Sequence, residues 1–289
     1  MDLLFQSHGL YIGLVTLFGL IVGSFLNVVI YRLPKMLEQQ WQQECHECFS
    51  EFPAPKQQTA FNLSIPGSHC PSCQTPVKAI DNIPVLSWLL LKGKCRHCEA
   101  KISIRYPLVE LMTAAIVGVT AWVLPGSWWS LAVVFATFAL IALFFIDMDT
   151  LLLPDQITLP LMWAGILMAV LGYSPVSLYD AVIGAMAGYL SLWSVYQAFR
   201  LLTGKEGMGF GDFKLLAALG AWLGWQPLTL VVLLASFVGA IGGIIIMRVS
   251  GKGKDHPFSF GPYLAVAGWV AILWGNDIID WYLTQYIGL

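Results

Sequence analysis

Eight apolar stretches, most of them close to the length that crosses a lipid bilayer, dominate this chain of 289 residues. A helix needs about 20 apolar residues to span the hydrocarbon layer. Runs of this kind cover residues 9–30, 106–124, 128–146, 156–173, 180–202, 213–224, 227–248 and 259–275. Because 57% of the residues are hydrophobic and only 11% are charged, the composition excludes an ordinary water-soluble globular protein. We therefore predict an all-α polytopic membrane protein with about eight transmembrane helices.

The first run has no basic segment before it and no convincing cleavage site after it, so we interpret it as a permanent helix and not as a signal peptide.

The basic residues indicate the orientation of the chain in the membrane. Nine of the fifteen Lys and Arg residues lie between Arg32 and Arg105, and eight alternating spans place the other six on the same side. The opposite connections and both termini carry no Lys or Arg. By the positive-inside rule, the basic side is the cytoplasm and both termini are periplasmic.

Two aspartates lie at the ends of apolar runs, where an ionised side chain is costly. Asp147 follows the third run, and Asp212 precedes the sixth, at the end of Gly209-Phe210-Gly211-Asp212. An ionised group near hydrocarbon costs about 2.5–3.5 kcal/mol, so a functional reason is expected. The alternating spans bring both aspartates to the cytoplasmic face. The topology therefore permits a pair of acids, although it does not prove that they meet.

A carboxylate pair suits hydrolysis, because one ionised acid can take a proton from water while a protonated partner donates one. Two carboxylates in one site do not both ionise easily. Gly209 and Gly211 could free the backbone beside Asp212 to approach an extended substrate, or they could form a simple helix-entry turn. Asp149 is the alternative to Asp147. The two side chains point in different directions from a helix end, so only one is expected to face Asp212. Because Asp147 is nearer the hydrocarbon, we favour Asp147 and give Asp149 a supporting role.

Three further charged residues near these runs have structural interpretations. Asp155 suits the N-terminus of the fourth span, where a carboxylate complements the helix dipole. Lys214 could influence Asp212, but we favour an anchor at the membrane interface. Asp180 falls on the outer side, away from Asp212, and is read as a helix-start residue.

All six cysteines lie in the one sizeable soluble segment, residues 31–105, as three Cys-x-x-Cys pairs. Small polar segments usually need a metal or a crosslink, and the reducing cytoplasm favours zinc over disulfides. Two pairs, separated by 21 residues, predict a structural zinc ribbon: Cys70, Cys73, Cys95 and Cys98. The pair Cys45 and Cys48 could be a redox pair, part of a second site with His46, or two plain thiols.

Seven motifs occur in order along the chain: the tract from Gly23 to Pro34, Pro71-Ser72-Cys73, Asn82 to Trp88, Gly93-Lys94-Cys95, Ile104 to Glu110, Asp147-Met148-Asp149-Thr150 through Pro154-Asp155, and the Gly-x-Gly-Asp ending at Asp212. Together they resemble the type IV prepilin peptidases. The resemblance extends from about residue 9 to residue 275.

The resemblance implies a bifunctional enzyme of the bacterial inner membrane that serves type IV pili or type II secretion. Such enzymes cut the basic leader from prepilins and pseudopilins at the cytoplasmic face and then methylate the new N-terminal amine with S-adenosylmethionine. The family's catalytic pair maps onto Asp147 and Asp212, and its zinc ligands map onto the four ribbon cysteines. The expected domains are a first helix over 1–30, a methyltransferase-associated cytoplasmic domain over 31–105 and a peptidase membrane domain over 106–289. Prepilins and lipid are the expected partners, and nucleic acid is not.

No Gly-rich nucleotide loop follows a strand in this sequence, so the methyl donor rests on the resemblance alone. The candidate donor-binding residues are Asn27, Arg32, Gly93 and Glu110. Asn27 and Glu110 could equally form hydrogen bonds between helices. Two alternative functions stay open from the sequence. One is a membrane transport or binding protein that carries ions or protons on its acids, and the other is a peptidase without methyltransferase activity.

Overall fold

The computed structural model describes residues 7–49, 51, 61–250 and 259–287. Lys56, Lys252 and Lys254, which contribute to the charge argument, lie outside the described residues. Eight long helices follow one another in the described chain: α1 His8–Cys48, α2 Arg105–Val123, α3 Trp128–Thr150, α4 Asp155–Val170, α5 Leu178–Thr203, α6 Phe210–Leu223, α7 Leu228–Ser250 and α8 Gly261–Tyr282. A short 3₁₀ turn, Ala79–Asn82, and a five-residue helix, Leu86–Leu90, lie between α1 and α2. A π-helical turn, Leu283–Ile287, follows α8.

Each predicted apolar run forms one of these helices, which confirms the all-α fold of a polytopic membrane protein. The largest difference concerns α1, which continues to Cys48 instead of ending near residue 30. The residues after Arg32 are mainly Leu, Lys, Met, Glu and Gln, which are good helix formers, and Leu33 and Leu37 are buried. The soluble segment therefore begins as a continuation of the first membrane helix.

Six helices of the described chain are long and apolar enough to cross a membrane: α1, α2, α3, α5, α7 and α8. The helix α4 is apolar but has 16 residues, and α6 has 14. At 1.5 Å per residue α6 is roughly 21 Å long, which is shorter than the hydrocarbon layer. A short apolar helix of this kind needs protein neighbours.

The chain forms two compact units, Met1–Trp122 and Val123–Leu289. In the first unit, α1 and α2 cross closely at two glycines. A Cβ atom added to Gly23 would lie 2.8 Å from the Glu110 Cα atom, and one added to Gly19 would lie 3.0 Å from the Ala114 Cα atom. Small residues let two backbones approach in this way. Gly9 and Gly13 have the same spacing along α1 but differ, because nothing lies within 4 Å of either added Cβ atom.

Helix α6 is at the centre of the second unit. Its residues from Phe213 to Trp222 are buried apart from the partly buried Lys214, and α4, α5, α7 and α8 all contact it. A helix that is apolar on every side is expected where other helices surround it. This arrangement holds Asp212, in the first turn of α6, inside the protein.

The closest helix crossing joins α5 to α6. A Cβ atom added to Gly184 would fall on the Gly220 carbonyl oxygen, and one added to Gly220 would fall on the Gly184 carbonyl oxygen. One turn along α5, a Cβ on Gly188 would lie 2.5 Å from the Leu216 carbonyl oxygen. Gly184 and Gly188, four residues apart, therefore both line the interface between α5 and α6.

Candidate functional site

Asp147 is a buried carboxylate in the last turn of α3. The helix is apolar up to this point, and it ends when Leu151 enters the left-handed region with φ +58° and donates its N–H to the Asp147 carbonyl oxygen at 2.9 Å. The Asp147 side chain is 4% exposed. Its carboxylate accepts hydrogen bonds from the Ser259 hydroxyl and from the backbone N–H of Gly261. The costly carboxyl group is thus enclosed and hydrogen-bonded.

Asp212 is buried in the first turn of α6, with an exposure of 8%. Gly209 is the N-cap residue of this helix, and its backbone also forms a hydrogen bond with the Asp212 carboxylate. Gly211 packs on the loop between α3 and α4, because a Cβ atom there would lie 2.7 Å from the Cβ atom of Leu153. The close approach observed at Gly211 is therefore to the chain's own Leu153.

Leu153 connects the surroundings of Asp147 and Asp212. It contacts Gly211 beside Asp212, and its Cδ1 atom lies 3.0 Å from the position of a Cβ on Gly261, the residue that meets Asp147. The end of α3, the start of α6 and the start of α8 thus enclose one site with two carboxylates. Such a site can bind a proton on one acid and leave the other ionised.

The other charged residues singled out in the sequence lie at the ends of helices. Asp149 is exposed at the end of α3. Lys214 donates from Nζ to both Asp155 carboxylate oxygens, at 2.7 and 2.8 Å, and so connects the first turns of α6 and α4. Asp180 lies in the first turn of α5, where its N–H donates to the Ser177 hydroxyl at 3.1 Å. The helix-start positions of Asp155 and Asp180 agree with the sequence analysis, whereas the Lys214 ion pair was not foreseen.

In the first unit, four cysteines form one cluster: Cys70, Cys73, Cys95 and Cys98. All four Sγ atoms lie within 4.8 Å of one another, and Cys70 and Cys98 are 3.7 Å apart. Two similar turns present them. The N–H of Cys70 donates to Thr75 at 3.0 Å, and the N–H of Cys95 donates to Ala100 at 2.9 Å. The cluster could bind a metal ion.

The sulfur geometry fits zinc. Tetrahedral coordination with Zn–S bonds near 2.3 Å requires sulfur atoms about 3.8 Å apart, and the Cys70 to Cys98 distance of 3.7 Å meets this requirement. A hydrogen bond with the Thr75 side chain lowers the pKa of Cys73 to about 6. At Cys98, a backbone hydrogen bond with Ala100 is outweighed by desolvation and the other three thiols, which raise the pKa to about 12. Arg96, between the last two cysteines, forms an ion pair with Asp81. That ion pair fixes one turn of the cluster against the 3₁₀ turn.

Cys45 and Cys48 take no part in this cluster. Both are exposed thiols at the end of α1. Their placement leaves the redox pair, the second site with His46 and two plain thiols as alternatives, of which we favour two plain thiols.

The four candidate residues for the methyl donor have partners within the first unit. Asn27 donates from Nδ2 to the Tyr106 carbonyl oxygen at 3.1 Å. Glu110 accepts the Val85 N–H at 2.8 Å and a hydrogen bond from Ser24. Arg32, which is 8% exposed, donates to the Asn62 carbonyl oxygen at 2.9 Å. Gly93 has φ +68°, and an added Cβ atom would lie 2.8 Å from the Trp88 ring.

Hydrogen bonds within the chain do not exclude binding of S-adenosylmethionine, so the role of these four residues in binding it stays a prediction. The contacts of Asn27 and Glu110 agree with hydrogen bonds that hold α1, α2 and the loop together.

The sequence analysis missed Ser259 and Gly261. Pro262 follows as an early residue of α8, a common helix start, and this signal marks a helix terminus without indicating a site. Their contacts with Asp147 join residues more than 110 positions apart, which no local pattern predicts.

Comparison with known proteins identifies two family domains in the chain. Residues 17–124 match the bacterial peptidase A24 N-terminal domain, and residues 133–244 match the type IV leader peptidase family. The chain is 58% identical to a prepilin leader peptidase/N-methyltransferase of Aeromonas salmonicida, over 99% of both chains. It is 57% identical to the protein of the same name from Aeromonas hydrophila, over 99% of both chains. For the protein of that name from Pseudomonas aeruginosa the identity is 52%, over 98% of this chain and 97% of the relative.

No solved structure matches the chain. The two domain matches and the full-length identity to these relatives lead to one assignment: the chain belongs to the type IV leader peptidase family.

Proposed function

We propose that this protein cleaves the basic leader peptide from type IV prepilins and pseudopilins and then methylates the new N-terminal amine. The relatives named prepilin leader peptidase/N-methyltransferase support both activities. The observation that carries the peptidase assignment is the buried pair Asp147 and Asp212, which interact at the adjoining ends of α3 and α6. Asp147 and Asp212 are the proposed catalytic residues, and Gly209 and Gly211 shape the backbone beside Asp212.

The chemistry follows from two acids and a water molecule. An ionised carboxylate takes a proton from water, and the resulting nucleophile attacks the scissile carbonyl carbon. A protonated carboxylic acid supplies the proton that the departing amine needs. Burial strengthens the interactions between charges in the site, because the surrounding dielectric constant is low. A leader junction that reaches this site thus meets both proton-transfer groups at once.

The distribution of basic residues supports an active site at the cytoplasmic face and termini in the periplasm. With eight alternating spans, including the short helices α4 and α6, the end of α3 and the start of α6 would lie on the side that carries the Lys and Arg residues. A prepilin has a basic leader followed by an apolar helix in the same bilayer, so its cleavage site lies at this depth. A site at the cytoplasmic boundary is therefore placed where the substrate changes from polar to apolar.

The ribbon is proposed to hold a structural zinc ion through Cys70, Cys73, Cys95 and Cys98. Four thiolates complete a tetrahedral shell and leave no position for a reacting water. Zinc would thus stabilise the segment 31–105, which we associate with methyl transfer, and the membrane helices from residue 106 onward would form the peptidase. The methyl group would come from S-adenosylmethionine, and Asn27, Arg32, Gly93 and Glu110 are the residues proposed to bind it.

One experiment tests both activities together. The purified protein, in detergent or lipid nanodiscs, is incubated with a full-length prepilin and S-adenosylmethionine, and the product is analysed by intact-mass spectrometry. We expect a pilin that has lost its leader and gained a single methyl group at its N-terminus. A cleaved but unmethylated product would remove the methyltransferase proposal, and an intact prepilin would remove the peptidase proposal.

A further inference from the structure

The two carboxylates of the site have different hydrogen-bond donors. Asp147 is contacted by the residues that begin α8. The Ser259 hydroxyl donates to Asp147 Oδ2, and the Gly261 backbone N–H donates to the same carboxylate. Ser259 itself is half-buried. Both donors stabilise a negative charge, because a hydrogen bond to an ionised carboxylate favours that form.

The close approach of Gly261 depends on its missing side chain. A Cβ atom at this position would fall on Asp147 Oδ2 and would also lie 3.0 Å from Leu153 Cδ1. Only glycine therefore lets the start of α8 come near enough for its backbone N–H to reach the carboxylate. The segment from Ser259 to Gly261 therefore packs closely against the Asp147 carboxylate.

Asp212 lacks an equivalent partner in the part of the chain that the structure describes. Its hydrogen bond comes from the Gly209 backbone, and its main electrostatic neighbour is the like-charged Asp147. The nearest basic residue along α6, Lys214, is paired with Asp155. Asp149 is exposed two residues after Asp147. The donors thus favour ionisation of Asp147 more than ionisation of Asp212.

We propose that Ser259 is a positioning residue that keeps Asp147 ionised as the general base, so that Asp212 is the proton donor. This assignment rests on the proposed peptidase function. In the reaction, Asp147 takes one proton from water as the water oxygen bonds to the carbonyl carbon. The C–N bond then breaks, and the amine nitrogen receives the proton of Asp212. One proton passes from Asp147 through solvent to Asp212 to restore the starting state.

The test compares pH profiles of prepilin cleavage for the full-length wild type and for Ser259→Ala, Ser259→Cys and Ser259→Thr. Removing a hydrogen bond to a charged group should lower kcat about ten- to hundredfold on the acidic limb of the profile, where Asp147 is only partly ionised. Since Asp147 would ionise less readily, the acidic limb of the profile should move to higher pH by about one unit or more. KM should change less than kcat, because Ser259 acts through Asp147. Ser259→Thr retains the hydroxyl, so its kcat and the position of its acidic limb should both match the wild type.

Two further variants separate the possible outcomes. Ser236→Ala removes an exposed serine of α7 and should match the wild type. Thermal unfolding shows whether Ser259→Ala folds. If it does not, Ser259→Cys replaces it in the test, because the thiol is a weak donor. The acidic limb of its pH profile should also move to higher pH. An acidic limb that stays in place, or a threonine variant as defective as the alanine variant, overturns the role of Ser259. Cleavage by Asp147→Ala at the wild-type rate would instead overturn the peptidase proposal itself.

Discussion

At the scale of single residues, we expect the rate of cleavage to depend on the space beside the Asp147 carboxylate as well as on the carboxylate itself. Gly261→Ala places a methyl group on Asp147 Oδ2, so the start of α8 must move away and its backbone donor is lost. We expect cleavage to fall at least about tenfold, in line with the value of a hydrogen bond to a charged group. The rate of prepilin cleavage by the purified variant measures this effect.

Gly13→Ala is the matched control for this change. It is also a helical glycine, but nothing lies within 4 Å of its added Cβ atom. This variant should fold and cleave normally, because its methyl group meets no other atom and alanine is a better helix former than glycine. Equal activity of Gly261→Ala and Gly13→Ala would contradict the close contact between Gly261 and the Asp147 carboxylate.

The sequence predicted some residues of the site and missed others for a physical reason. Asp147 and Asp212 stand out because a carboxylate beside an apolar run is costly wherever the chain folds. Ser259 is a common polar residue outside such a run, and its significance depends on a contact with a distant helix. Asn27 and Glu110 were flagged by the same cost argument, and the structure gives both of them hydrogen-bond partners.

At the scale of helices, the α5–α6 crossing fixes the helix that carries Asp212. Gly220→Ala forces a methyl group onto the Gly184 carbonyl oxygen, and neither backbone can move without disturbing buried neighbours. Overpacking of this kind costs about 1–3 kcal/mol. We expect a lower thermal unfolding midpoint, measured in detergent micelles, than for the wild type or for Gly13→Ala. An unchanged midpoint would mean that the two backbones are not in contact.

The four-cysteine cluster leads to a prediction about metal content. Cys98→Ser removes one of four sulfur ligands, so the purified variant should lose most of its bound zinc, as measured by elemental analysis. Cys45→Ser is the matched control, because this exposed thiol lies outside the cluster and should leave the zinc content unchanged. Equal loss of zinc in both variants would mean that the metal site is not the one formed by Cys70, Cys73, Cys95 and Cys98.

The helices themselves were largely predictable, whereas some of their ends were not. Apolar runs must satisfy their backbone hydrogen bonds internally, which makes helices the expected result. The end of α1 was placed near residue 30 from hydropathy, yet the helix continues because the polar residues that follow are also good helix formers. Hydropathy marks where a chain could leave the membrane, and helix propensity decides where the helix stops.

At the scale of the whole molecule, the basic residues predict a single orientation in the bilayer. Cys45 and Cys48 should face the cytoplasm, and the connection between α4 and α5 should face the periplasm. A membrane-impermeant thiol reagent should therefore label Pro175→Cys in intact cells, because this residue is exposed in that connection. The wild-type protein should be labelled only in inverted membrane vesicles. Labelling of the wild type in intact cells would reverse the proposed orientation.

The central claim is that Asp147 and Asp212 together perform the cleavage, and the rate of prepilin cleavage by amide variants tests it most directly. Asp147→Asn and Asp212→Asn preserve side-chain shape but remove the acid, so each should lower the rate about 10²- to 10⁴-fold. Asp277→Asn makes the same change at an exposed position of α8 and should retain the wild-type rate. Wild-type cleavage by either Asp147→Asn or Asp212→Asn would contradict the account.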